Sequence, residues 1–162
     1  MRVLGIDPGA AVVGYGMVES GPHPAAPARL LECGVIHQEV VRLIARLGPE
    51  TVAVEDVFFA KNVRTTVVLG HARGVILLAA EEARLPIVEY APALVKKTVV
   101  GRGEAMKGQV ARMVATLLRL KEPPSPSDAA DGIAVALTHL LIASSRIPLP
   151  RERAINGLHA RR

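Results

Sequence analysis

Five short apolar segments constrain the fold of this chain more than any other feature of its sequence. Most of them are rich in β-branched residues, and turn-forming or acidic residues lie at their ends. The first three follow one another through a turn and a loop rich in Gly, Pro and Ala, which favours an antiparallel meander. The predicted strands are residues 2–7, 12–18, 29–37, 51–55 and 85–90.

Segments of helical length lie between and after the later strands, with apolar residues at helical spacing. The predicted helices are residues 38–47, 62–84, 92–100, 104–120 and 128–144. Strands that alternate with helices after an opening meander predict an α/β fold, a mixed sheet covered by helices. The length of 162 residues fits one domain. We place that domain at residues 1–143, followed by a basic tail at residues 144–162.

The composition predicts a globular protein of the cytoplasm. Half of the residues are apolar and 22% are charged, which is typical of globular chains. Cys33 is the only cysteine, which excludes an internal disulfide and fits a reducing compartment. The first predicted strand leaves no room for a signal peptide, and no apolar run approaches the ~18 residues of a membrane span. We therefore expect a cytoplasmic protein with no membrane partner.

The net charge of +5 suggests a polyanionic partner, although its distribution matters more than its sum. Residues 144–162 hold five arginines against one glutamate, which accounts for +4 and leaves only +1 for the rest of the chain. Within the body of the chain, residues 94–121 hold seven basic residues against Glu104. These are either solvated helix faces or a positive surface for nucleic acid. They are Lys96, Lys97, Arg102, Lys107, Arg112, Arg119 and Lys121.

Acidic residues stand at the ends of three predicted elements. Asp7 closes the first strand, Glu55 closes the fourth, and Asp128 and Asp131 open the last helix. If the first and fourth strands are parallel neighbours, ~4.8 Å apart, Asp7 and Glu55 lie side by side at one sheet edge. The i, i+3 spacing puts Asp128 and Asp131 on one helix face.

Clustered carboxylates repel one another unless cations hold them together, and their hard oxygen ligands suit Mg²⁺ or Mn²⁺. Two such ions ~4 Å apart can activate a water and stabilise the leaving oxygen of a phosphodiester. Each acid also has a structural explanation. Asp7 precedes Pro-Gly in ordinary turn chemistry, Glu55 can be a solvated strand end, and Asp128 can favour the helix dipole.

The acids and the segments around them resemble the RuvC family of Holliday-junction resolvases, and the likeness runs in order over about residues 1–143. The segments that carry it are Gly5-Ile6-Asp7-Pro8-Gly9, Gly14-Tyr15-Gly16, Val54-Glu55, Ala60-Lys61-Asn62, Gly70-His71-Ala72-Arg73-Gly74-Val75, Val95-Lys96-Lys97-Thr98-Val99-Val100-Gly101-Arg102-Gly103 and Asp128-Ala129-Ala130-Asp131-Gly132-Ile133-Ala134.

The resemblance implies an RNase H-like five-stranded sheet with helices on both faces, and a homodimer that nicks four-way DNA junctions symmetrically. It implies that Asp7, Glu55, Asp128 and Asp131 are a catalytic tetrad holding two Mg²⁺ ions, with Mn²⁺ able to substitute. The products would be ligatable nicks with 5′-phosphate and 3′-hydroxyl ends. The branch-migration proteins RuvA and RuvB are implied as partners.

The resemblance also implies residues that contact DNA. Lys96 and Lys107 match lysines that act at the DNA phosphates, and we add Lys61 and Lys97 to this set. Phe58, just after Glu55, would stack on an unpaired base at the junction centre. Core packing is the alternative for this phenylalanine. The helix that starts near Asn62 would form the dimer interface, although packing within one monomer explains its composition equally well.

The chain departs from the family between Ile36 and Val52, where the first helix is shorter by roughly three turns of ~3.6 residues. A catalytically impaired junction-binding relative is therefore one alternative. Another is an actin-like phosphate-loop ATPase, because Gly5-Ile6-Asp7-Pro8-Gly9 resembles the phosphate loop of those kinases. The second alternative needs another domain and another nucleotide loop, for which the chain has no room.

Overall fold

The computed structural model describes residues 1–9, 13–23, 26–36, 40–56 and 62–145. Within these ranges the strands are β1 (Arg2–Pro8), β2 (Val13–Glu19), β3 (Arg29–Ile36), β4 (Thr51–Glu55) and β5 (Ile87–Tyr90). The helices are α1 (Val40–Leu47), α2 (Val63–Glu82), α3 (Pro92–Val100), α4 (Lys107–Leu117) and α5 (Ser127–Ser144). The predicted tail lies outside the described residues from residue 146 onward.

The strands form one five-stranded sheet in the order β3-β2-β1-β4-β5. β1 pairs antiparallel with β2, and β2 pairs antiparallel with β3, as the meander predicted. β4 lies parallel to β1 and to β5. The predicted mixed sheet is therefore confirmed, and the register of Ile6 with Val54 brings the next residues of β1 and β4, Asp7 and Glu55, to the same edge.

Alternate residues of the central strands face two separate cores. Val3 and Ala53 pack with residues of α3, α4 and α5 on one face of the sheet. Leu4 and Val52 pack with residues of α1 and α2 on the other face. The sheet is thus covered by helices on both faces, which explains why β1 and β4 are apolar at nearly every position instead of alternating.

Helix α5 lies directly on the backbone of β1 and β2 because glycines occupy the positions where it crosses. A Cβ atom at Gly5 would overlap the Gly132 carbonyl oxygen, and one at Gly14 would overlap the Asp128 carbonyl oxygen. Gly132 itself lies against Tyr15, so that a Cβ atom there would stand 2.6 Å from the Tyr15 Cα. This close contact brings the first turn of α5 over the carboxyl end of β1.

Three predicted boundaries were wrong, both ends of α4 and the start of β5, and local backbone geometry explains them. α4 begins at Lys107 instead of residue 104, where the Gln109 side chain accepts a 2.9 Å hydrogen bond from the Met106 amide. The helix ends at Leu117, and Arg119 then takes a left-handed conformation with φ of 53°. Arg84 does the same after α2, with φ of 55°, so β5 begins at Ile87 and not at residue 85.

Helix α2 is the one helix within the described ranges that is long and apolar enough, by length and composition, to cross a membrane. Its apolar residues do not form one continuous run, because Arg64, His71 and Arg73 interrupt them. A single helix of this kind is weak evidence for a membrane span. Arg73, in the middle of α2, contacts Glu89 of β5, and Ile76 is buried in the core beneath the helix. These contacts join α2 to the sheet.

We expect Gly132→Ala to destabilise the fold by about 2–3 kcal/mol, because the added methyl group meets the backbone of Tyr15 and neither element can move without opening the core. Helix propensity alone would favour alanine by about 1 kcal/mol. Gly108→Ala in α4 is the matched control, since only the Arg112 side chain, 3.8 Å away, lies near its Cβ position. Urea unfolding should show a loss for the first and a small gain for the second. Equal stability of the two variants would contradict the close packing.

Candidate metal centre and active site

Asp7 and Glu55 lie at the carboxyl edge of the sheet, on the face covered by α5. Ile6 and Val54 are paired in register, and both point into the core beneath α1 and α2. Because side chains alternate along a strand, the following residues Asp7 and Glu55 point to the opposite face. Both side chains are half-buried there. The parallel pairing that the sequence analysis assumed is confirmed.

Asp128 and Asp131 reach the same place from α5. Each of Asp7, Asp128 and Asp131 offers a carboxylate oxygen, and these oxygens lie within 4.8 Å of one another. The contact of the α5 backbone with Gly5 and Gly14 makes this proximity possible, because the helix begins directly over the end of β1. Three of the four predicted acids are thus in a geometry that one metal ion can span.

Glu55 joins this group through Asp7, with which its carboxyl group shares a hydrogen bond. Burial, followed by the negative charge of Asp7, raises the pKa of Glu55 to about 8. Burial also raises the pKa of Asp7. Both shifts mean that the protein alone solvates these carboxylates poorly, so the site favours an arriving cation.

The ammonium group of Lys107 contacts two of the acids, Asp128 and Asp131. Its Nζ atom lies 2.8 Å from Oδ2 of Asp131 and 3.9 Å from Oδ1 of Asp128. The hydrogen bond to Asp131 raises the pKa of the Lys107 ammonium. The side chain is 66% exposed, so the same ammonium faces solvent as well as the carboxylates. The sequence predicted a phosphate-binding lysine here but not its contact with Asp131.

Three of the four acids, all except Asp128, line a cavity of about 220 Å³ that opens between the sheet edge, α3, α4 and α5. Lys96 lies in its wall, together with apolar residues. The lining residues are Asp7, Glu55, Pro92, Val95, Lys96, Lys107, Val110, Asp131 and Ala134. Two of the predicted DNA-binding lysines therefore stand beside the carboxylates.

The remaining predicted DNA contacts are placed differently. Lys97 is exposed on α3 and does not line the cavity. Phe58 and Lys61 lie outside the described residues, in the segment 57–61. Arg73 was missed as a functional candidate, although an arginine in the middle of an apolar helix was a usable signal, because such a charge needs a partner.

The donor set fits a magnesium site. All four acidic side chains supply carboxylate oxygens, and hard oxygen ligands are those that Mg²⁺ prefers. No cysteine or histidine lies among the residues that line the described cavity, so its chemistry does not favour zinc. Asp7 lies within the cluster and is hydrogen-bonded to Glu55, so it connects the acids of the two strands and of α5.

The sequence matches a family of crossover junction endodeoxyribonucleases. The family model described as crossover junction endodeoxyribonuclease RuvC matches residues 3–139. The chain is 46% identical to the crossover junction endodeoxyribonuclease RuvC of Moorella thermoacetica, over 97% of this chain and 99% of the relative. That alignment spans 171 positions, more than the 162 residues of this chain, so the relative has residues that this chain lacks.

Solved structures give the same result. The Thermus thermophilus RuvC structure superposes with a TM-score of 0.79 at 39% identity, covering 88% of this chain and 95% of that one. T. thermophilus RuvC in complex with a Holliday junction substrate superposes with a TM-score of 0.81 at 36% identity, covering 93% of this chain and all of that one. The predicted RNase H-like resolvase fold is confirmed.

Because the pKa of Glu55 is raised, we expect the stability of the metal-free protein to depend on pH and bound metal to abolish that dependence. Without metal, the folded protein keeps a proton on Glu55 up to about pH 8, whereas an unfolded chain releases it near the ordinary value of 4.5. Stability is therefore full below about pH 4.5 and falls as the pH rises to about 8, by roughly 1.4 kcal/mol for each pH unit. Urea unfolding in a chelator should show this fall, and Glu55→Gln should flatten it.

Saturating Mg²⁺ should restore the stability that wild type loses at high pH, because the bound cation replaces the proton. Glu104→Gln, an exposed acid outside the cavity, is the matched control and should leave the pH profile unchanged. Parallel profiles for wild type and Glu55→Gln would contradict the assignment of the titration to Glu55.

Proposed function

This chain belongs to the RuvC family of crossover junction endodeoxyribonucleases, and from that premise we propose that it cuts four-way DNA junctions by metal-dependent hydrolysis of phosphodiesters at Asp7, Glu55, Asp128 and Asp131. The observation that carries the proposal is the meeting of Asp7, Asp128 and Asp131 within 4.8 Å, with Glu55 hydrogen-bonded to Asp7. Because its substrate is DNA, we propose the cytoplasm as its location.

The four carboxylates would hold two Mg²⁺ ions, or Mn²⁺ in their place. When bound, such ions supply an activated water and stabilisation of the leaving oxygen. Asp7 lies between Glu55 and the α5 acids, so its carboxylate would be a ligand common to both parts of the site. Glu55 keeps a proton near neutral pH and must release it to bind a cation, which makes cation binding stronger as the pH rises.

Lys107 and Lys96 are placed to bind the DNA backbone. Both line the cavity that contains the acids, and Lys107 is 66% exposed, which leaves its ammonium accessible to a phosphate. Lysine contacts to phosphates supply affinity without base selection. Lys97, exposed on the same helix as Lys96, would extend this surface, and Phe58 and Lys61 would contact the junction beside Glu55. The structure of a T. thermophilus relative with a Holliday junction supports this substrate.

We propose a homodimer with its interface on α2. Val67, Val75 and Leu78 lie on one face of α2 and are exposed by 49%, 59% and 59%. Gly70 and Gly74 leave open space beside them, since no heavy atom lies within 4 Å of either Cβ position. An apolar helix face with small residues suits a second copy of the same helix. A two-fold dimer would give two symmetric nicks with 5′-phosphate and 3′-hydroxyl ends.

Family membership is also the basis for proposing RuvA and RuvB as partners.

Of the alternatives, the actin-like ATPase has no support, because the family model that matches residues 3–139 describes a nuclease. An impaired junction-binding relative with a short α1 differs from an active enzyme only in whether it cuts. The assembled carboxylates favour the active enzyme.

We expect wild type to cut a labelled synthetic four-way junction with Mg²⁺, giving paired nicks that a ligase can seal. Asp7→Asn should lose more than about a hundredfold in rate while still binding the junction, because it removes a shared metal ligand. Glu122→Gln, an exposed acid outside the cavity, is the control and should cut normally. Gel analysis of product ends and a linear duplex complete the comparison.

Junction binding without cleavage by wild type would indicate the impaired relative. A folded sample that neither binds nor cuts the junction would sink the resolvase proposal.

The dimer prediction has its own test. Val75→Glu should weaken dimerisation by at least tenfold, because an unpaired carboxylate would be buried in the interface at a cost above about 2 kcal/mol. Val41→Glu is the matched control, a valine that is 54% exposed on α1. Sedimentation equilibrium should show more monomer only for Val75→Glu. An unchanged dimer in both variants would exclude this face of α2 as the interface.

A further inference from the structure

Arg73 makes two ionic contacts from the middle of α2 to the sheet. Its Nε atom donates a 2.7 Å hydrogen bond to Oε1 of Glu89, which its terminal nitrogen also contacts. The same terminal nitrogen lies 3.8 Å from Oδ1 of Asp56. The Arg73 side chain is 24% exposed and that of Glu89 only 9%, so water screens these contacts weakly.

Both acidic partners lie next to the end of β4, on the face of the sheet opposite the proposed metal site. Glu89 is in register with Val54, and Asp56 is the residue that follows Glu55. The Asp56 amide donates a 2.9 Å hydrogen bond to the Tyr90 carbonyl, so the backbone after Glu55 remains attached to β5. Asp56 and Glu89 face α2, whereas Glu55 faces the cavity, because side chains alternate along the strands.

From this arrangement we infer that Arg73 is a positioning residue for the metal centre: it holds the Asp56 side chain on the α2 face and thereby holds the Glu55 carboxylate on the cavity face beside Asp7. The inference rests on the proposed metal-binding role of Glu55. It makes α2, the proposed dimer helix, part of the support of the active site.

Arg73 can act on Glu55 through Asp56 because successive side chains along a strand point to opposite faces of the sheet. The backbone of β4 is held to β5 up to the Asp56 amide, but β4 itself ends at Glu55. The ion pair adds a side-chain constraint at this end, because a rotation that brought Glu55 away from the cavity would also carry Asp56 away from Arg73. Residues that orient a metal ligand typically change metal affinity by about 10–100-fold.

A purely stabilising ion pair is the competing explanation, and the chain supplies a matched control for it. Arg46 of α1 makes a two-pronged contact to Glu32 of β3, with distances of 2.7 and 2.6 Å. This pair also joins a helix to a strand, but it lies at the far edge of the sheet, on β3, which the cavity does not reach. Arg46→Gln therefore reports the effect of losing a helix-to-strand ion pair on its own.

The test measures Mn²⁺ binding by titration calorimetry, without DNA, for wild type, Arg73→Gln, Arg73→Lys and Arg46→Gln. We expect Arg73→Gln to weaken Mn²⁺ binding at least tenfold and Arg73→Lys to recover part of that loss. Arg46→Gln should bind Mn²⁺ as wild type does. In junction cleavage, the Mg²⁺ concentration for half-maximal rate should rise by a similar factor for Arg73→Gln, with KM for the junction unchanged.

The double variant Arg73→Gln/Glu89→Gln keeps the result interpretable if Arg73→Gln alone unfolds, because it removes the negative charge of Glu89 together with the positive charge of Arg73. Unchanged Mn²⁺ binding in the folded Arg73 variants, or an equal loss in Arg46→Gln, would overturn the positioning role. Wild type that binds Mn²⁺ but does not cut junctions would refute the proposed function alone, and the calorimetric comparison would still decide the role of Arg73.

Discussion

The contact between the backbone of α5 and the backbones of β1 and β2 is the constraint on which the rest of the structure depends. Glycines at the crossing points remove the side chains that would otherwise hold the helix away from the sheet. Only this close approach lets a carboxylate from the first turn of α5 meet one from the end of β1. The same contact fills the centre of the larger core, so the geometry of the site and the stability of the fold rest on one interface.

The sheet also separates two sets of charges. On the α5 face, buried carboxylates lie together with Lys107 at their rim, an arrangement that favours a cation. On the α2 face, Asp56 and Glu89 are paired with Arg73. Adjacent residues, Glu55 and Asp56, thus have opposite surroundings: Glu55 lies among other acids, whereas Asp56 lies beside the Arg73 guanidinium. Strand alternation makes this division possible within two residues.

The sequence predicted the five strands, the mixed sheet and the meeting of Asp7 with Glu55, because these follow from residue type, periodicity and the parallel edge. It also placed Asp128 and Asp131 on one helix face from their spacing. It did not predict how closely α5 approaches β1, since that depends on glycines that are far apart in the chain and meet only in the fold. The contacts of Arg73 with Glu89 and of Lys107 with Asp131 also could not be predicted, because these residues are far apart in the chain and meet only in the fold. The helix ends near residues 84 and 119 depend on left-handed arginines, which carry no strong sequence signal.

The order of the ligands along the chain has a consequence for protein synthesis. Asp7 belongs to the first strand, and Asp128 and Asp131 belong to α5, the last helix of the described fold. A ribosome therefore releases Asp7 long before Asp128 and Asp131. Chains that end before α5 lack two of the four acids of the proposed metal site, so they cannot assemble the acidic cluster.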